Sequence, residues 1–356
     1  MTPSPGARLV DWALEASVVY YRGRTSDERV FFGADTVSAA EMAASLEALR
    51  VLVDGNPSPE ALAAEIRRRF MVYRAAHPAV LFTGYYVPTV TARASPDRRF
   101  RFPVLGRPPD LVTASLPQFG AGCSSADRIV GRVAAGQLVP YFTRAEIEAG
   151  AVRGAPVLAW VDDPVALFLL QIQGSGTLLF PDGTRRPIGF AASNGLPYVS
   201  IAKLLVDDGR LPANAATTPD VRRWISDHPG ERERLLAANP RYVFFQPIIE
   251  PTGSLGVPLT PGRTIATDAG VYPPGALAFV RVGTDSGNDG PTPTVAADGT
   301  IRPFARLVLN QDTGAAISGP GRVDVFFGSG PEAEDVAGRL RARGELLFLA
   351  PRHNAG

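Results

Sequence analysis

An aspartate stands in the middle of a five-residue apolar run near the end of the chain, Val323-Asp324-Val325-Phe326-Phe327. In a strand, alternation sends Val323, Val325 and Phe327 to one face and Asp324 and Phe326 to the other. An acid inside an apolar strand is costly to bury unless it is well partnered, so Asp324 is the residue that most needs explaining. Just upstream, the run Arg306 to Gln311 stops at a second acid, Asp312. Gly314, and then Gly319-Pro320-Gly321, turn the chain between the two. From Arg306 to Pro351 the pattern predicts strand, turn, strand, helix, strand.

With 356 residues the chain has room for two domains with cores of their own. Its 36 glycines and 33 prolines follow no repeat, which points to many turns between short strands. A net charge of +1 argues against nucleic-acid binding by bulk electrostatics. Cys123 is the single cysteine, so no intramolecular disulfide can form. His77, His228 and His353 are too scattered for a histidine metal site, and no metal or cofactor is expected. The opening residues lack a basic stretch followed by an apolar core, so they do not read as a secretory leader. No run approaches the length of a membrane helix.

In order, the run Val18 to Tyr21 reads as a short strand. Helices are predicted over Ser38 to Val53 and from Ser58, with Leu62, Ile66, Phe70 and Tyr73 on one face. Phe82-Thr83-Gly84-Tyr85-Tyr86 is a strand broken by a glycine that would admit another backbone or a ligand. Of its two tyrosines, one is expected in the core and the other is free to stack on a sugar ring. Thr143 to Gly150 is a capped helix. The run Leu167 to Gln173 is a strand or the end of a buried helix, followed by the polar turn Gly174-Ser175-Gly176. That turn has no following lysine, so it does not cradle phosphate. Pro181-Asp182-Gly183 closes a hairpin, and Asn194-Gly195 is another turn. Three helices and the strand Arg241 to Glu250 come next, then Asp268 beside a short strand, and a loop over residues 283–300.

Taken together, these stretches resemble the membrane-bound lytic murein transglycosylase A family. The resemblance rests on Phe82 to Tyr86, Gln173 to Gly176, Asn194-Gly195 with Tyr198, Ser200 and Ile201, and Asn239 to Gln246. It continues through Val257 to Asp268, Pro273 to Gly275, Gln311 to Ile317 and Asp324 to Gly338, in the family's order. The last of these form a module with three aspartates.

The resemblance implies a mainly β protein with flanking helices. A double-psi β-barrel would be built from residues 1–91 and 241–356. A smaller, β-barrel-like glycan-binding domain over residues 92–240 would be inserted into it, with a groove between them. It implies an exo-acting lytic transglycosylase, a carbon–oxygen lyase, with Asp324 as the catalytic residue and Asp312 and Asp268 in support. The implied glycan contacts are Thr83, Gly84, Tyr85, Tyr86, Gln173, Gly174, Ser175, Asn194 and Gly195. The implied partner is the glycan strand of peptidoglycan, met by a monomer in the periplasm or at the outer membrane, with a lipid anchor on the native precursor. Ser193, Leu196, Val199 and Val87 stand where the family usually has other residues, on what the resemblance implies is the glycan-facing side.

In this chemistry the sugar's own C6 hydroxyl attacks C1, and the product ends in a 1,6-anhydromuramoyl ring. An intramolecular nucleophile already has a high effective concentration, so one carboxyl can serve first as acid and then as base. Two other readings stay open on sequence grounds: a glycoside hydrolase using Asp312 and Asp324 as a pair, and a peptidoglycan-binding protein without turnover.

Overall fold

The computed structural model describes residues 5–75, 77, 79–119, 128–212, 216–283, 295–296, 301–314 and 317–352. Cys123 and most of the loop expected over 283–300 lie outside them. The chain divides into two compact units, Met1–Tyr86 with Thr252–Gly356, and Val87–Pro251. These borders differ from the expected 92 and 240. The strands on either side of the expected borders pair inside the second unit's sheet and go with it.

The first unit opens with α1 (Pro5–Arg22), the hairpin β1 (Arg29–Phe32) and β2 (Asp35–Ser38), and α2 (Ala39–Asp54). The expected strand at Val18 to Tyr21 is the last turn of α1 instead. Val10, Leu14, Val18 and Tyr21 recur at helical spacing and are all buried. Ser38 caps α2 in a reciprocal box with Glu41. Ser58 caps α3 (Pro59–Arg69), whose Leu62 and Ile66 pack on the core. The expected run of that face into Phe70 and Tyr73 fails, because both lie on β3 (Phe70–Arg74). β4 (Val80–Val87) then leads to the second unit.

That unit is built on the sheet order β13-β12-β11-β5-β10-β6: β5 (Thr89–Arg93), β6 (Phe102–Leu105), β10 (Val157–Val161), β11 (Ser175–Leu179), β12 (Arg185–Ser193) and β13 (Val243–Pro247). A parallel bridge between Gly106 and Phe245 joins its two edges. β7 (Val112–Ser115), β8 (Arg128–Ala134) and β9 (Gln137–Pro140) form a separate three-stranded sheet. α4 (Arg144–Glu148) has the expected Thr143–Glu146 capping box. The ambiguous run before Gly174 is α5 (Pro164–Gln173), whose Phe168 and Leu169 pack against α6 (Ile201–Asp207), α7 (Thr218–Asp227) and α8 (Arg232–Ala237).

Back in the first unit come β14 (Thr264–Ala266), β15 (Leu277–Val282), β16 (Phe304–Asp312), β17 (Arg322–Ser329), α9 (Pro331–Arg339) and β18 (Arg341–Pro351). The order β15-β16-β14-β17-β4-β18 returns to β15, so six strands close on themselves. β18 makes the closure. On one edge it pairs with β4 and then β3, and on the other with β15. A closed barrel leaves no exposed edge among its members. Inward-facing Val323 and Val325 belong to the same buried cluster as Ile265, Leu309 and Phe348. The buried amide of Gln311 ties α1 to the barrel by donating to the Ala13 carbonyl at 2.7 Å and to Ser17 Oγ at 3.0 Å. Buried polar groups need such partners, since an unmet one costs about 1–3 kcal/mol.

Candidate active site

The period-two reading of β17 puts Asp324 and Phe326 on the face opposite Val323 and Val325. Ala266 of β14 is in register with Asp324 on one side and with Asp312 on the other. Neighbouring strands lie about 4.8 Å apart, which puts the two acidic backbones roughly 9–10 Å apart across one alanine.

Asp324 Oδ1 accepts the Thr83 hydroxyl and, at 3.1 Å, Arg322 Nε; Oδ2 accepts Arg322 Nη2 at 3.3 Å. Arg322 Nε also lies 3.3 Å from Thr83 Oγ1. The Asp324 side chain keeps 15% of its surface exposed. Arg322 is a member of the site that the sequence reading missed. Its signal was there: it is two residues before Asp324 on a strand, hence on the same face.

Asp312 is held differently. Its Oδ1 accepts the backbone N–H groups of Ser254 and Thr313, both at 2.8 Å, and its Oδ2 accepts the Tyr85 hydroxyl at 2.9 Å. The Tyr85 ring packs on Phe326 with centroids 5.1 Å apart. Burial, and then the Asp312 charge, push the Tyr85 hydroxyl well above its ordinary pKa, which keeps it a donor. Burial also raises the Asp312 carboxyl above its usual range, against the pull of Ser254, Thr313 and Tyr85.

The raised value at Asp312 has a consequence for stability. Above the ordinary carboxylate range the folded state holds this proton more tightly than the unfolded state. The group's contribution is therefore present at low pH and lost as pH rises through the folded value. Asp312→Asn removes that titration. Its unfolding free energy, measured by denaturant melts between the carboxylate range and neutrality, should fall less steeply with rising pH than that of the parent chain. An identical slope would mean that Asp312 does not titrate there.

The third acid, Asp268, accepts the N–H groups of Gly270 at 2.9 Å and Gly319 at 2.7 Å. It thus ties the β14 exit to the glycine turn that feeds β17, and Tyr272 reinforces the same turn by donating to the Pro320 carbonyl at 2.8 Å. Among the described residues, no group of three or more histidine, cysteine or acidic side chains could hold a metal ion.

Several expected glycan contacts have other duties. Gly84 faces α9: a Cβ there would stand 2.6 Å from the Ala337 Cα and 2.8 Å from Phe327. The glycine admits a helix backbone rather than a ligand. Tyr86 is 3% exposed and packs in the core, so the paired tyrosines do split between two faces, with Tyr85 on the side of the acids. In the second unit, Asn194 is fully buried. Its amide donates to the carbonyls of Phe142 and Pro240, and its oxygen accepts the Tyr242 N–H. Gly195 has φ +76° and sits on Val130. Asn194 thus holds the loop together from inside, while Gly195 lies exposed at its surface. The turn at Gly174 is a helix end: Gly174, at φ +76°, caps α5, and Ser175 begins β11. Gln173, Gly174 and Ser175 are partly exposed at that junction.

Comparison with known proteins fits this architecture. Residues 81–246 match the MltA specific insert domain, and residues 263–350 match the 3D domain. A relative from Vibrio cholerae, named membrane-bound lytic murein transglycosylase A, is 31% identical over 278 residues, covering 76% of this chain and 65% of that protein. The protein of the same name from Escherichia coli is 31% identical over 285 residues, covering 78% and 67%. The match thus spans about two thirds of the curated relatives' length. The crystal structure of a membrane-bound lytic murein transglycosylase from Agrobacterium tumefaciens aligns with a TM-score of 0.80 at 31% identity, over 98% of this chain and 95% of that one. A closed barrel with a partnered carboxylate, interrupted by a second sheet, defines the class: a 3D domain carrying an MltA insert. The chain belongs to the membrane-bound lytic murein transglycosylase A family.

Proposed function

We propose that this protein cleaves the β-1,4 bond between N-acetylmuramic acid and N-acetylglucosamine in peptidoglycan and leaves a 1,6-anhydromuramoyl end. Asp324 acts as the acid that protonates the leaving oxygen and then as the base that takes the C6 hydroxyl proton. Family membership supplies the substrate class, because the curated relatives are named for lytic action on murein. The observation that carries the mechanism is the unequal state of the two acids. Asp324 is partly exposed and, among the described residues, keeps a lone pair in hand. Asp312 is committed to two backbone N–H groups and a tyrosine. A hydrolase needs both carboxyls free to act on substrate or water, and Asp312 is already held by three donors.

Family membership also supports a place in the cell envelope, in the periplasm or at the outer membrane. Among the described residues no helix is long and apolar enough to cross a membrane. Mass spectrometry of products from purified sacculi tests the reaction. The anhydro product is one water lighter than the hydrolysis product. A reducing end would point to the hydrolase, and binding without turnover to a non-catalytic role.

A further inference from the structure

We infer that Asp324 exchanges its proton through Oδ2 alone, and that Arg322 and Thr83 are the positioning residues that impose this choice. The inference rests on Asp324 being the catalytic acid and assigns the step to a single atom.

A carboxylate offers about four lone-pair sites, two on each oxygen. On Asp324, Oδ1 accepts both the Thr83 hydroxyl and Arg322 Nε, so its two sites are filled. Among the described residues Oδ2 accepts only Arg322 Nη2, and one site stays open. The three side chains close a triangle, because Thr83 Oγ1 also accepts from Arg322 Nε at 3.3 Å. The single Thr83 proton is directed at Oδ1 and is not available to a sugar. Thr83 is moreover β-branched and sits on β4, the strand beside β17, so its hydroxyl is held in one orientation.

The step balances on this one oxygen. The Oδ2 proton passes to the bridging oxygen as the bond from C1 to that oxygen breaks. O6 then bonds to C1, and the O6 proton returns to Oδ2. Between the two transfers the carboxylate carries a full negative charge. Arg322 already points two N–H groups at it, so the charge is met without rearrangement. The fork geometry matters, because a lysine cannot span both oxygens.

Four variants assayed on sacculi test the inference, with Asp324→Asn as reference. Thr83→Val keeps the shape and removes the hydroxyl. Its kcat should fall about 10- to 100-fold with KM within about twofold, and Thr83→Ser should restore most of the rate. Arg322→Ala should lose about 100-fold in kcat, the usual range for one aligned donor. Added guanidinium ion should recover part of that loss in the same folded sample, and Arg322→Lys should recover less than full rate. Should Thr83→Val keep the parent kcat, the inference is overturned, and a raised KM beside that kcat would show that Thr83 touches sugar instead. Failure of guanidinium to rescue a folded Arg322→Ala overturns the part given to Arg322. An active Asp324→Asn defeats the underlying assignment instead. An inactive Asp324→Asn beside fully active Thr83→Val and Arg322→Ala defeats only the inference made here.

Discussion

Asp324→Asn is expected to abolish release of anhydromuropeptides, by about a thousandfold or more, while the protein still folds. The magnitude follows from the role: a positioned acid–base group contributes about 10²- to 10⁴-fold, and here one group serves both proton transfers. Folding should survive because asparagine has the same shape and can still accept the Thr83 hydroxyl and one Arg322 N–H through its amide oxygen. The partner left behind, Arg322, has a side chain 34% exposed, so water can serve its unmet donor. Circular dichroism and a thermal melt check the fold, and muropeptide release from sacculi checks the chemistry. Normal digestion by a folded variant would show that the acid lies elsewhere.

Gly84→Ala is expected to damage stability far more than substrate binding. The added methyl would stand 2.6 Å from the Ala337 Cα and 2.8 Å from its carbonyl oxygen, distances that force α9 away from β4. Backbone cannot swing aside as a flexible side chain can, so the cost should reach the upper part of the range for overpacking, about 3 kcal/mol. For a chain of this size that is roughly a 4 °C lower Tm. The KM for sacculi, measured well below that Tm, should stay within about twofold, because the glycine's open side is taken by the helix. A normal Tm with a raised KM would return Gly84 to the glycan-binding set.

Much of the barrel was legible before any coordinates. The alternation around Asp324 named the right faces because a two-residue period is the direct signature of a half-buried strand. The stop of β16 at Asp312 and the capped starts of α2 and α3 were legible for the same local reasons. Val18 to Tyr21 misled because four apolar residues suit either structure. Only their spacing from Val10 and Leu14 marks a helix. The helical face through Leu62 and Ile66 was carried too far, since Phe70 fits a helix as well as the strand it occupies.

The functional residues were harder to read. Gly84 was recognised as a place of close approach, but sequence cannot say what approaches. Asn194 reads from sequence as a turn residue, and its three backbone partners come from Phe142, Pro240 and Tyr242, all remote in sequence. Arg322 was passed over because what gives it a role is Thr83, on a different stretch of chain.

Asp312 carries a consequence for how such a chain can be altered. Tyr85 lies just before the chain leaves the barrel unit and Ser254 just after it returns, and both donate to this one carboxyl group. The exit and the re-entry are therefore stapled side by side by the host itself. Closing a long excursion between points already held together adds little entropy loss as the excursion lengthens or shortens. The barrel is in that sense a socket: the piece plugged into it can be trimmed, enlarged or exchanged at Val87 and Pro251, so long as the staple is kept.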